Sequence, residues 1–185
     1  VHNGVIENFF SLKRFLSQKK IEFTSETDSE VLCNLIAYNY SILQSDGDGF
    51  IESVRMALSK CSGAYGIAVL CLDYPNTLIG ARRGSPLVVG LGEDANFIAS
   101  DASAFVGRAK DAVFLKDGEL AILTGTDFRI TTSEGQEAQA VTQPVDQISE
   151  EVDLGDFDSF MEKEIFEQPL ALRNTLRGRF GDDGT

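Results

Sequence analysis

The stretch Ser62–Leu72, SGAYGIAVLCL, marks a change in the hydrophobic pattern of this 185-residue chain. Before it, apolar residues recur at helical spacing, whereas residues 64–72 form a continuous apolar run typical of a strand buried on both faces. Shorter apolar segments separated by turn residues follow: TLIGAR (77–82), PLVVGL (86–91), NFIAS (96–100), AVFL (112–115), ELAILT (119–124) and FRITT (128–132). Short connections favour antiparallel pairing, so this order predicts an α+β fold with helices packed on antiparallel sheet.

Three helices are predicted ahead of Ser62. Asn8 can cap the first helix, and Thr27 with Glu30 forms a capping box that opens the second. The third follows a loop at Ser45–Gly49. The predicted inward residues are Phe9, Leu12, Phe15 and Leu16 in the first helix, Val31, Leu32, Leu35 and Ile36 in the second, and Ile51, Val54 and Leu58 in the third.

Composition argues against several classes of partner. The net charge of −13 disfavours nucleic acid and anionic membranes, and no apolar run is as long as a membrane span. The cysteines Cys33, Cys61 and Cys71 lack metal-site spacing, so we expect buried, free thiols in a reducing, cytoplasmic compartment. His2 is the only histidine, which excludes a His-rich metal site, and no cofactor is predicted.

The C-terminal part of the sequence has a different character. Residues 143–158 are acidic and without apolar periodicity, which predicts a linker or an extended crossover. An amphipathic helix with Phe160, Met161 and Ile165 facing inward is predicted next, and Pro169 is expected to stop or restart it. These features predict one domain over residues 1–145 and a separate segment over residues 146–185.

Two polar features allow both a structural and a functional interpretation. Asn3-Gly4 favours positive φ and so suits a turn or a bulge. It would also suit an oxyanion hole, because glycine lets a carbonyl approach the backbone N–H and the asparagine amide adds a second donor. Asp28 would complement a helix dipole, but could also receive a substrate ammonium group. The pattern alone favours the structural interpretations and leaves the functional ones open.

Six segments resemble the glucosamine-6-phosphate synthase family, the glutamine:fructose-6-phosphate aminotransferases, in their order and rough spacing. They are VHNGVIEN (1–8), SETDSEV (25–31), SGAYGIAVL (62–70), RRGSPLVVGLG (82–92), NFIASD (96–101) and FMEKEIFEQP (160–169). HNG is shared by all class II glutamine amidotransferases, whereas SETDSEV and KEIFEQP are closer to specific for this family. The resemblance runs from Val1 to about Gly178.

The resemblance implies a four-layer αββα sandwich of the N-terminal-nucleophile hydrolase type, incomplete at its N-terminus. Residues 1–145 would then be a partial glutaminase domain, and residues 146–185 the linker and first helices of a sugar-phosphate isomerase domain. The implied activity is hydrolysis of glutamine to glutamate and ammonia. The ammonia would convert fructose 6-phosphate to glucosamine 6-phosphate in a further C-terminal domain, and the intact enzyme is expected to be a homo-oligomer.

The resemblance also implies residue roles. Asn3 and Gly4 would form the oxyanion hole, with Gly4 also contacting substrate, and Asp28 would bind the α-ammonium of glutamine. The family's nucleophile is an N-terminal cysteine, and residue 1 is Val, so we expect the chain to lack an upstream segment and to be inactive alone. The alternatives are a class II amidotransferase with another acceptor, separable by assays with fructose 6-phosphate and phosphoribosyl pyrophosphate, and a noncatalytic glutamine-binding module.

Overall fold

Nine strands and four helices are present in residues 1–43, 48–145 and 157–176, the part of the chain that the computed structural model describes. The α-helices are α1 (Phe9–Gln18), α2 (Asp28–Leu43), α3 (Gly49–Leu58) and α4 (Phe160–Leu176), with a 3-10 helix at Ala102–Phe105. The strands are β1 (His2–Ile6), β2 (Gly63–Cys71), β3 (Tyr74–Arg83), β4 (Val88–Leu91), β5 (Asn96–Ala99), β6 (Asp111–Phe114), β7 (Glu119–Leu123), β8 (Phe128–Thr132) and β9 (Thr142–Pro144). Most of the predicted loop Ser45–Gly49 lies outside the described residues.

The strands form two antiparallel sheets. The first sheet has the order β1-β2-β3-β7-β8, and the second has the order β5-β4-β6-β9. All named strand pairs are antiparallel, which confirms the prediction drawn from the short connections. Within the described residues β1 is an edge strand of the first sheet, since it pairs only with β2.

Hydrophobic side chains divide the molecule into layers. Helices α1–α3 cover one face of the first sheet through a core that contains Leu16, Leu35, Val54 and Ile67. A second core joins the two sheets, and a third lies on the outer face of the second sheet beneath the 3-10 helix. The second core comprises Leu87, Val89, Val113, Leu115, Ala121, Leu123 and Ile130, and the third Val88, Ala102, Phe105, Ala109, Ala112 and Val145.

The helix predictions are largely confirmed, with one change at the first cap. Asn8 occupies the N-cap position of α1 but makes no side-chain capping hydrogen bond. Its amide group instead donates to the Lys60 carbonyl at 2.8 Å and accepts from the Ser62 N–H at 2.9 Å. Asn8 therefore ties the start of α1 to the residues that enter β2.

Strand β2 is less completely buried than the sequence predicts. Tyr65 and Ile67 are buried, but Leu70 is 73% exposed and Leu72, just after β2, is 97% exposed. The expectation of buried thiols is also wrong for Cys33, which is exposed, and Cys71 is intermediate. Sequence periodicity cannot show which part of an apolar run is covered, because the covering elements come from elsewhere in the chain.

The predicted linker starts later than residue 143. Gln143 and Pro144 belong to β9, which pairs with β6, and Val145 is fully buried. The structure divides into one unit at Val1–Ile148 and another at Ser149–Thr185. Residues 146–156 lie outside the described part, and the assignment of residues 146–185 to a linker and a second domain stays a prediction.

The second unit contains a single described helix. Pro169 lies inside α4 and does not stop it, contrary to the prediction. Met161 and Ile165 are exposed, so the prediction that they face inward is wrong, and the side chain of Phe160 is not described. None of the helices in the described ranges is long and apolar enough to cross a membrane.

Candidate functional site

Gly4 adopts a backbone conformation that an L-residue rarely takes. Its φ is +127°, and a Cβ added there would lie 2.2 Å from the Ala64 carbonyl oxygen. The positive φ agrees with the Asn-Gly pattern, but the predicted turn or bulge is wrong. β1 pairs with β2 in unbroken register from His2 opposite Ile67 to Ile6 opposite Gly63. The glycine is therefore needed within a strand, where the neighbouring backbone approaches closely.

The backbone N–H of Gly4 faces the outer edge of the first sheet. Val1 exchanges both main-chain hydrogen bonds with Ala68, and in an antiparallel pair such exchanges occur at every second residue. The N–H groups at positions 2, 4 and 6 therefore point away from β2. Ile6 confirms the direction, since its N–H donates to Asp28 Oδ2 at 2.8 Å.

Asn3 is exposed beside Gly4. Among the residues that the structure describes, its side-chain amide has no hydrogen-bond partner, so the amide is free to donate to a ligand. Alternation along β1 puts its side chain on the opposite face of the strand from His2 and Ile6. Asn3 therefore lies beside Gly4 in β1 and does not contact Asp28. The contacts of Asp28 are with His2 and Ile6.

Asp28 is the first residue of α2, as predicted, and its carboxylate reaches the edge of β1. Its side chain is 21% exposed, which leaves it accessible to a ligand. Oδ2 accepts from the Ile6 N–H, and Oδ1 lies 3.6 Å from His2 Nδ1. The helix-dipole interpretation also holds, because the carboxylate lies in the first turn. The two roles are compatible.

The start of α2 is held by a network that differs in part from a capping box. The Thr27 Oγ1 accepts from the Glu30 N–H at 3.2 Å, as a cap should. The Glu30 carboxylate, however, accepts from the backbone N–H groups of Thr24 and Ser25 and from their hydroxyls. The Ser25 hydroxyl and the Thr24 N–H are the main causes that lower the pKa of Glu30 from 4.5 to about 2. This network fastens the loop at Thr24 and Ser25 to the first turn of α2.

The two groups lie close together along the edge of β1. Gly4 and Ile6 are two residues apart, roughly 6.6 Å along a strand. The carboxylate held at Ile6 and the N–H of Gly4 are therefore neighbours on the same edge.

Comparison with known proteins identifies the family. A sequence profile described as "Glutamine amidotransferase domain" matches residues 1–107. This chain belongs to the glutamine amidotransferase domain family. It is similar to proteins named glutamine–fructose-6-phosphate aminotransferase (isomerizing). The identity is 44% for Aquifex aeolicus, 43% for Chlorobaculum tepidum and 40% for Corynebacterium glutamicum, over 96%, 97% and 100% of this chain. The chain spans 29% of the length of each of these relatives.

Solved structures of glutamine amidotransferases share the fold. A glutamine phosphoribosylpyrophosphate amidotransferase from B. subtilis matches with a TM-score of 0.60 and 27% identity, over 72% of this chain and 28% of that one. A structure titled as the allosteric regulatory enzyme of purine biosynthesis matches with a TM-score of 0.57 and 26% identity, over 71% and 27%. The expected N-terminal-nucleophile hydrolase type of fold is confirmed by these amidotransferase neighbours.

The sequence predicts Asn3, Gly4 and Asp28 as site residues of the amidotransferase domain, but it does not predict the contact of His2 with Asp28. In the sequence, His2 stands out only as a possible metal ligand. The structure packs its side chain, 4% exposed, against Asp28 and Ser29. The signal in the sequence was its position next to Asn3 in the HNG motif. The motif does not show which distant residue His2 contacts, because Asp28 is 26 residues away.

The predicted residues lie beside a concave surface of the amidotransferase domain. A cleft of about 300 Å³ between α2 and the β1–β2 pair is lined by His2, Ser29 and Cys33, among others, but not by Asn3, Gly4 or Asp28. We place the candidate site at the strand edge, because the outward Gly4 N–H and the Asp28 carboxylate point there. A separate cavity of about 490 Å³ near Arg55 and Arg83 contains none of the predicted residues.

Proposed function

We propose that this chain supplies the glutamine-hydrolysing part of a glutamine–fructose-6-phosphate aminotransferase. The observation that carries the proposal is the edge of β1, where the Gly4 N–H points outward and Asp28 is fixed two residues further along, at Ile6. The relatives that bear this enzyme's name, at 40–44% identity over nearly the whole chain, support it.

Glutamine would lie along this edge, with its α-ammonium on the Asp28 carboxylate and its amide carbonyl at Gly4. Attack by a nucleophile on the amide carbon moves negative charge to the carbonyl oxygen. The Gly4 N–H and the Asn3 side-chain amide would donate hydrogen bonds to that oxygen, which lowers the barrier because the donors are already oriented. The donors serve a charge that exists mainly in the transition state.

The resemblance implies that the nucleophile is the thiolate of an N-terminal cysteine, with its own α-amine as general base. The thiolate forms a bond to the amide carbon, the carbon–nitrogen bond breaks, and the protonated nitrogen leaves as ammonia. Water then cleaves the thioester and releases glutamate and the thiol. Ammonia would aminate fructose 6-phosphate in another domain of the full-length enzyme.

The acceptor is tested by assay of the full-length enzyme. Glutamine should yield glucosamine 6-phosphate when fructose 6-phosphate is present. No glutamine-dependent pyrophosphate release should occur with phosphoribosyl pyrophosphate, the acceptor named for the solved neighbour at 27% identity. The opposite pattern would refute the acceptor while leaving the glutaminase role intact. Glutamine binding without any glutamate release would instead favour a noncatalytic module.

We propose a cytoplasmic location and a homo-oligomeric full-length enzyme. The three free cysteines support the location, because a reducing compartment keeps thiols unpaired. The homo-oligomer rests on the resemblance to the synthase family. Size-exclusion chromatography with light scattering on the full-length enzyme tests the second point, and a monomeric mass would contradict it.

A further inference from the structure

We propose that His2 is a positioning residue for Asp28, and that the imidazole keeps one carboxylate oxygen oriented toward the ammonium group of glutamine. The inference rests on the proposed function, because it concerns the carboxylate assigned there to the substrate. It adds a second residue of β1, besides Ile6, to the support of that carboxylate.

The geometry brings three groups of β1 and α2 together. His2 Nδ1 lies 3.0 Å from Ser29 Oγ and 3.6 Å from Asp28 Oδ1. The other carboxylate oxygen, Oδ2, accepts from the Ile6 N–H at 2.8 Å. One strand therefore touches both sides of the carboxylate, through a backbone N–H on one oxygen and an imidazole beside the other.

The surroundings favour a proton on Nδ1 of the His2 ring. The side chain of His2 is 4% exposed, and Nε2 is buried without a hydrogen-bond partner among the described residues. A proton on Nε2 would leave a buried N–H donor unpaired and would aim the lone pair of Nδ1 at the carboxylate. A proton on Nδ1 leaves the Nε2 lone pair unpaired, but its N–H then faces Ser29 Oγ and Asp28 Oδ1 and avoids the repulsion between two lone pairs. His2 therefore presents an N–H donor to Ser29 Oγ and Asp28 Oδ1.

The contact orients Oδ1 without saturating it. A separation of 3.6 Å is too long for a hydrogen bond, so the N–H attracts the oxygen electrostatically while its stronger interaction goes to Ser29. The Oδ1 lone pairs remain available, and the 21% exposure of the Asp28 side chain gives a ligand access to them. An ammonium group can then bind a carboxylate whose direction is already fixed, which reduces the entropy lost on binding.

A merely structural role for His2 predicts a different outcome. If the ring only fastened α2 to β1 through Ser29, its loss would weaken the fold and affect every ligand of the site alike. A positioning role affects ligands that carry an α-ammonium group and spares those that lack it. Glutamate and glutarate form the required pair of probes, because they differ only in that group.

The experiment measures competitive inhibition of the full-length enzyme's glutaminase activity by glutamate and by glutarate. The readout is the inhibition constant of glutarate divided by that of glutamate. This ratio reports how much the ammonium group contributes to binding. In His2→Leu the ratio should fall by about three- to tenfold, the effect expected when one modest polar contact to the carboxylate is lost. His2→Asn should largely restore it, because the asparagine amide nitrogen occupies nearly the position of Nδ1. His2→Gln, whose amide nitrogen reaches the position of Nε2, should not.

Two further variants make every outcome informative. Ser29→Ala removes the partner of the ring and should lower the ratio in the same direction, so the question can be answered even if His2→Leu does not fold. Tyr40 lies later in α2, and Tyr40→Phe removes its 3.0 Å hydrogen bond to Asp73. This variant should leave the ratio unchanged. An unchanged ratio in both His2→Leu and Ser29→Ala would overturn the inference.

Failure of the proposed function can be told apart from failure of the inference. Asp28→Asn should lower the same ratio by about tenfold to a hundredfold. If Asp28→Asn leaves the ratio unchanged, Asp28 does not bind the ammonium group and the proposed role itself is wrong. If Asp28→Asn lowers the ratio and the His2 and Ser29 variants do not, only the positioning role of His2 is wrong.

Discussion

The Asp28 carboxylate accepts a hydrogen bond from the backbone N–H of Ile6 at 2.8 Å, which fixes the first residue of α2 to the edge of β1. The same edge carries the Gly4 N–H two residues earlier, on the side that β2 leaves unpaired. A helix start and a strand edge thus combine a negative charge with a neutral donor, and each proposed role of the site depends on that combination.

Replacement of Asp28 by Asn should weaken glutamine binding in the full-length enzyme by about tenfold to a hundredfold, because a charge-assisted hydrogen bond contributes roughly 1.5–3 kcal/mol. The fold should survive, since Asn still accepts from Ile6. The affinity is measured by inhibition or calorimetry. Asp101→Asn is the matched control, because Asp101 also accepts a backbone N–H, that of Ser103 at 2.8 Å. A drop in melting temperature with unchanged affinity would make Asp28 a helix-dipole residue alone.

Replacement of Asn3 by Ala should lower kcat for glutamine hydrolysis by about 10²–10³-fold with KM nearly constant, because the side-chain amide serves a charge that exists in the transition state. Activity should not vanish, since the Gly4 N–H remains. Synthesis with ammonia in place of glutamine should be spared. Val5→Ala, on the same exposed face of β1, is the control for general damage to the strand. Equal losses with both nitrogen sources would contradict the oxyanion role.

Replacement of Gly4 by Ala should destabilise the protein by at least about 4 kcal/mol or prevent folding, a large effect for one residue. Two causes act together: a φ of +127° and a Cβ 2.2 Å from the Ala64 carbonyl oxygen. Gly107→Ala separates them, because Gly107 also has positive φ, +73°, but a Cβ there would have no neighbour within 4 Å. That control should cost about 1–2 kcal/mol. Urea unfolding measures both, and similar losses would show that the close approach is unimportant.

Replacement of Glu30 by Gln should flatten the acid side of the stability profile. The pKa of Glu30 in the folded state, about 2, lies below its ordinary value of 4.5, so between these values the unfolded state binds more protons. Its stabilisation is complete above pH 4.5 and is lost as the pH falls toward 2. Unfolding measured from pH 6 to pH 2 should therefore show a shallower decline in Glu30→Gln than in wild type. Glu26→Gln, an exposed neighbour, should follow wild type, and parallel curves for all three proteins would contradict the assignment.

Sequence patterns determined the local structure of this protein well. The change of period at Gly63 gave the order of helices and strands, and Thr27 with Glu30 located the start of α2, because both signals depend on residues close together in the chain. The positive φ of Gly4 was also predictable from the Asn-Gly pair. Local signals failed where distant elements decide burial, as at Leu70, and at Pro169, which α4 accommodates.

Tertiary structure decided the geometry of the candidate site. The register of β1 against β2 turns the Gly4 N–H toward the open edge, and a shift by one residue would turn it inward. The packing of α2 on the first sheet brings Asp28 to Ile6 and His2, more than 20 residues away in sequence. The sequence by itself named Asn3, Gly4 and Asp28, because short motifs carry residue identity. Their relative placement and the contact with His2 required the fold, because strand register and helix packing are set by the whole core.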